Sequence, residues 1–265
     1  MKLNRFFSLN RFARLLKYDL LINQRLYLLG ILGMGIIAYG FIWFFMYMGR
    51  SGFNSYEDYF PVLIMYFMGL LVLVGTAFPA LNNSVLRGNY FLLPASIFEK
   101  FLVQFVIRVV LVTFIGMGLF WVGAHLAKAS MVPNPLRNYD PSIIPDFSYA
   151  NLFEELPSFR DRLAVILSGL SCFSIAFAGA TFFNRFALVK TLIVVAITIG
   201  LLIVFFVLLS HLFYPDVVSG FDIFVREYRL TDDLINIQLY FYMLAYSTWL
   251  FFLPLAYMKL KEKEI

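Results

Sequence analysis

Six stretches of this chain, 27–48, 60–81, 101–127, 163–183, 191–214 and 239–258, run for about 20 residues or more without one aspartate or glutamate. That length of apolar sequence crosses the hydrocarbon core of a bilayer as a helix. Inside lipid every backbone N–H and C=O must find its partner within the protein, so a spanning segment of this composition has to be helical. The expected fold is therefore all-α, with six transmembrane helices in one integral domain covering 1–265. Composition agrees: 62% of the residues are hydrophobic and 14% charged, with a mean hydropathy of +0.82, whereas soluble domains are about half apolar and about a quarter charged. The first apolar run is too long for the core of a signal peptide and lacks a small-x-small cleavage pattern, so it reads as a retained helix.

Charge sets the orientation. With both termini in the cytosol, thirteen of the 21 basic residues lie inside: Lys2, Arg5, Arg11, Arg14, Lys17, Arg25, Arg87, Lys100, Arg185, Lys190, Lys259, Lys261 and Lys263. The opposite arrangement leaves seven there: Arg50, Lys128, Arg137, Arg160, Arg162, Arg226 and Arg229. Basic residues concentrate on the cytosolic side, which selects termini in. The same bias explains a pI near 9.2 through topology and anionic headgroups rather than nucleic acid. Ahead of the first span, residues 1–25 carry Leu9, Phe12, Leu16 and Leu20 at helical spacing, with Arg11, Arg14 and Lys17 on other faces. An amphipathic helix in the cytosolic interface satisfies both sets. Two longer outer loops follow, 128–162 and 215–238; the first holds Pro133, Pro135, Pro141, Pro145 and Pro157 and suits an irregular segment packed over helix ends.

Chemistry is sparse inside the spans. Ion-coupled transporters keep a carboxylate at membrane depth to bind the coupling ion, and these runs have none. The two histidines, His125 and His211, sit near outer span ends, where an amphipathic ring rests at headgroup level, and no His-Glu-x-x-His pair exists. Ser168, Ser171, Ser174 and Ser210 have no recognisable base nearby and read as small packing residues. Metal and catalytic sites are both expected to be none. The clearest membrane signal is packing: Ala164, Ser168, Cys172, Ala176 and Ala180 repeat every four residues along the fourth span, a spacing that lets helices approach closely. Arg108 lies about 10 Å inside the third span. Snorkelling to the headgroups is its default, and a place along a pore or subunit interface is the alternative.

One interruption carries more information. In "NYFLLPASIFEKFL" from Asn89 to Leu102, Pro94 breaks the chain and Ser96 with Glu99 forms the S-x-x-E spacing of a capping box, so a helix restarts near Ile97. By residue chemistry alone this is equally an ordinary loop before a well-capped span. The order of a basic amphipathic helix, two spans, this Leu93-Pro94-Ala95-Ser96 element followed by Glu99 and Lys100, then four spans and the basic tail "YMKLKEKEI", resembles the ATP-binding-cassette type-2 permease family. The long proline-rich outer loop after the third span departs from that pattern, since such permeases more often elaborate the loop before the sixth. The resemblance implies that 93–100 is a coupling element docking a separate ATPase subunit, through Leu93, Pro94, Ala95, Ser96, Glu99 and Lys100. It also implies a homodimer or heterodimer of related permeases, export as the activity, and the cytoplasmic membrane of a bacterium as the setting. ATP and magnesium would be held by the ATPase and no cofactor by this chain, which has no G-x-x-x-x-G-K-[ST] phosphate loop. A membrane scaffold or sensor subunit that transports nothing shares the same fold expectation; an intramembrane enzyme is a distant third.

The orientation is directly testable. In a Cys172→Ser background, Lys263→Cys should react with a membrane-impermeant maleimide only after the membrane is opened, while Ser130→Cys should react without opening. Reversed labelling would overturn the assignment.

Overall fold

The computed structural model describes residues 6–48, 55–82, 84–131, 144–154, 156, 158–183, 186–213 and 236–263. Most of the 128–162 loop's proline-rich part and all of 215–235 lie outside the described residues. Among the described residues no strand occurs and ten α-helices follow one another: α1 (Leu9–Ile22), α2 (Gln24–Met48), α3 (Tyr59–Gly75), α4 (Ser84–Leu92), α5 (Ile97–Phe105), α6 (Val112–Ala129), α7 (Tyr149–Glu154), α8 (Phe159–Phe182), α9 (Ala187–Phe213) and α10 (Asn236–Glu262). A π-helical turn, Val106–Leu111, joins α5 to α6, so the third span is one element from Ile97 to Ala129. Six helices are long and apolar enough to cross a membrane. Their outward faces expose large apolar side chains such as Leu29, Ile36, Phe114, Leu201 and Phe251, a surface suited to lipid rather than water.

The helices overrun most of the acid-free runs by three or four residues, and the second and third spans show why their bounds fall where they do. The second stops at Gly75 instead of reaching residue 81, because Phe78 takes a left-handed backbone (φ 55°) ahead of Pro79 and the chain turns through a short 3-10 helix, Pro79–Asn82. Proline disfavours helix in the residue before it. The third span begins at Ile97, earlier than the apolar run alone indicates, because the Ser96 cap starts it there.

Helix packing relies on close backbone approach and on hydroxyl bridges, the devices available where lipid supplies no hydrophobic drive between helices. α2 runs against α6, and at Gly123 an added Cβ would sit 3.1 Å from the Tyr39 amide nitrogen and from the Ala38 Cβ. α3 buries Val62, Tyr66, Leu70 and Val74 on one stripe, and the Tyr66 hydroxyl donates to the Gly116 carbonyl at 2.9 Å. α8 lies at the centre. It meets α3 through Phe67 and Phe173, with ring centroids 4.6 Å apart, and α10 through the Ser171 hydroxyl, which donates to the Ala245 carbonyl at 3.1 Å. The expected stripe of small residues is only partly the packing face: Ala164, Ala176 and Ala180 are buried, Ser168 is half-buried and bonds within its own helix to Val165, and Cys172 is exposed. A strict four-residue repeat drifts round a 3.6-residue helix. The enclosed face instead takes in Ser171, Ser174, Ala178 and Gly179 as well.

Both ends of the described chain meet at one end of the bundle. Phe98 stacks on Phe6, approaches Phe7 edge-on and contacts Tyr257 of α10. At the opposite end, 144–154 folds back over the helices. Phe147 is enclosed by Tyr59, Phe120 and Tyr149, the Tyr59 hydroxyl donates to the Pro145 carbonyl, and that of Tyr149 donates to the Met117 carbonyl.

The tightest approach gives a prediction. A Cβ on Gly179 would fall 1.8 Å from the Thr191 Oγ1 of α9. Gly179→Ala should cost about 1–3 kcal/mol, read as a lowered unfolding midpoint in detergent, and Thr191→Ala added to it should recover part of the loss.

Candidate functional site

The restart after α4 is locked from within. Ser96 has extended backbone, its hydroxyl accepts from the Glu99 N–H at 3.2 Å, and the Glu99 Oε2 accepts from the Ser96 N–H at 2.9 Å. This is the reciprocal capping box expected of the S-x-x-E spacing. Glu99 does more than cap. Its Oε1 accepts from the Ser8 N–H at 2.6 Å and from the Arg11 guanidinium at 3.1 Å (Nε) and 3.0 Å (Nη2). The Ser96 hydroxyl in turn donates to the Phe6 carbonyl at 2.7 Å. One carboxylate thus ties the start of α1 to the start of α5. Phe12, Leu15 and Leu16 of α1 continue the contact against Val103, Ile107, Leu93 and Ala95. The inward face of α1 centres on Leu15, with Leu9 and Leu20 exposed, rather than on Leu9, Phe12, Leu16 and Leu20 together.

Below Glu99, the third span carries Lys100, Gln104 and Arg108 at intervals of four on one face, all buried. A cation on an apolar helix demands partners, and Lys100 finds them on α4: its ammonium donates to the Phe91 carbonyl at 2.8 Å and lies under 6 Å from the Tyr90 and Phe91 rings. Burial pushes the Tyr90 hydroxyl well above its ordinary pKa, with the charge of Asp19 adding to it. Gln104 bridges two elements. Its Oε1 accepts from the Phe78 N–H at 3.4 Å, in the left-handed turn that ends α3, and its Nε2 donates to Asp19 of α1 at 3.1 Å. Asp19 also accepts from the Tyr27 hydroxyl at 2.6 Å and the Asn23 amide at 3.3 Å. Arg108 donates to the Thr76 hydroxyl at 3.3 Å and lies over the Tyr27 ring at 5.1 Å.

These contacts place Arg108, Glu99 and Lys100 in the interior of the chain. Arg108 does not snorkel: it is 3% exposed and held inside the bundle. Glu99 and Lys100 are 0% exposed, so neither side chain reaches the surface where a partner would sit; both hold the segment in place from behind. What does project at this face is Leu92 and Pro94, together with Leu86 of α4, while Leu93, Ala95 and Ser96 are half-buried. Asp19, Gln104, Tyr27 and Thr76 were missed by the sequence reading. The spacing of Lys100, Gln104 and Arg108 on an apolar helix was a readable signal, since polar groups recurring on one face of a span require a polar neighbour. Among the described residues no group of three histidine, cysteine, aspartate or glutamate side chains is placed to hold a metal. His125 bonds to the Trp121 carbonyl one turn back, and its ring lies tilted against the Trp121 indole.

Comparison with protein-family models, with curated proteins and with solved structures finds no match. The site therefore rests on its own geometry.

Glu99→Ala leaves the Arg11 guanidinium and the Ser8 and Ser96 N–H groups without their acceptor and should cost about 3–5 kcal/mol. Arg11→Ala should cost less, since that side chain is 30% exposed. Chemical unfolding in detergent would read both; equal losses would mean that the ion pair, rather than the four-donor cap, sets the energy.

Proposed function

We propose that this chain is the permease subunit of an ATP-driven exporter of the ATP-binding-cassette type-2 kind, in the cytoplasmic membrane of a bacterium. It pairs with itself or a related permease, and a separate ATPase subunit holds ATP and magnesium. The chain carries out no covalent chemistry. Its part is to convert a push at the cytosolic face into movement of the spans, switching access from one side to the other.

The observation that carries this reading is the contrast within one segment. Leu92 and Pro94 project from the end of the bundle that gathers the termini, while Glu99 and Lys100 just behind them are completely enclosed. An exposed apolar tip on a rigid base suits force transfer. A load on residues 92–96 passes into α5 through its cap and into α1 through Glu99. It then enters α8 and α10 through Phe101, whose ring centroid lies 5.5 Å from that of Phe177 and 5.7 Å from that of Tyr257. The missing phosphate loop and the acid-free apolar runs fit an energy source on another chain.

The assembly purified from native membranes should contain an ATPase chain with a phosphate loop. Leu92→Asp and Pro94→Gly, neither of which touches the buried lock, should release that chain at least tenfold more readily while the helical circular dichroism of the permease is unchanged. Absence of an ATPase, or a complex indifferent to both substitutions, would overturn the reading in favour of a non-transporting scaffold or sensor.

A further inference from the structure

A cavity of about 130 Å³ opens between α1, α2, α3 and the third span. α2 and α6 touch at Ala38 and Gly123 but part toward Gly30, where an added Cβ would meet nothing within 4 Å. The walls are Ile31, Met34, Leu70, Ile115 and Leu119, and almost all of the lining is apolar. Its one charged lining residue is Arg108. Among the described residues its buried Nε–H has no acceptor and it forms no ion pair. The carboxylate linked to it most directly, Asp19, already accepts from Tyr27, Gln104 and Asn23. A guanidinium with an unfilled donor at one end of an apolar cavity has the character of half of a binding site. It lacks an anion.

We propose that this cavity takes the acyl chain of an anionic lipid, whose phosphate or carboxylate oxygen accepts from Arg108. From Arg108 to Leu119 the helix rises about 16 Å, so the apolar wall continues from the charged end well into the bilayer. A soluble anion would meet the charge but leave the wall uncovered, and a zwitterionic lipid would fill the wall but bring a cation with its phosphate. An anionic amphiphile satisfies both parts. The site would stabilise the junction of α1, α2 and the third span whether or not the chain transports anything, so it stands apart from the permease reading.

Native mass spectrometry of the detergent-purified chain, titrated with phosphatidylglycerol, oleate and phosphatidylcholine of matched chain length, tests it. Phosphatidylglycerol or oleate should bind about tenfold or more tightly than phosphatidylcholine, and whichever of the two binds names the source of the anion. Arg108→Gln should abolish that preference, and Arg108→Lys should keep part of it. Gly30→Leu fills the cavity without touching Arg108 and should weaken binding of every acyl lipid, which keeps the test decisive if Arg108→Gln fails to fold. Equal binding of anionic and zwitterionic lipids, or anionic binding unchanged by Gly30→Leu, would overturn the proposal.

Discussion

A single enclosed carboxylate organises the end of this molecule where the termini meet. Removing a charged carboxylate from water costs several kcal/mol, and the cost is met only when each lone pair is well used. Glu99 accepts four N–H donors, two from backbone and two from one guanidinium, and these come from two segments some ninety residues apart in the sequence. The helix start, the placement of α1 and the rigidity of the turn after α4 all follow from that one set of bonds. None of them is separable from the others.

The polar stripe beneath it obeys the same rule at greater depth. Lys100, Gln104 and Arg108 occupy a face that lipid would penalise, and each draws another element in to satisfy it: α4 for Lys100, α1 and the turn after α3 for Gln104, Thr76 and Tyr27 for Arg108. Gln104 also supports strain. Phe78 holds a left-handed backbone that a bulky residue rarely adopts, at a cost of order 1–3 kcal/mol, and the amide of that residue is the one Gln104 accepts from. Arg108 falls within the π-helical turn, a rare local widening frequently found at functional sites.

The apolar runs and the S-x-x-E spacing made the six helices and the capped restart at Ile97 legible in the sequence, since each depends on neighbours close along the chain. The partners of Glu99 were not legible, because Ser8 and Arg11 reach it only through the tertiary fold. Arg108 read as a snorkelling side chain for a related reason: distance from the span end is visible in sequence, whereas an aromatic ring and a threonine hydroxyl brought in by α2 and the end of α3 are not. The small-residue repeat of α8 pointed to the right helix and to part of the right face, but that its alanines are enclosed while Ser168 and Cys172 are not depends on how the neighbouring helices pack. Pro79 did announce the early end of α3, and the continuing apolar run concealed it.

The close approaches of α9 to α3 and α8 lie at its beginning. Thr191 fits against Gly179, and Leu188 comes within 2.4 Å of where a Gly75 Cβ would stand, while from Leu192 to Phe205 nearly every residue faces outward. From Thr191 to Phe213 the helix extends about 33 Å, so a tilt of about 10° about the Thr191 contact would carry its far end through about 6 Å, a displacement larger than one helical turn.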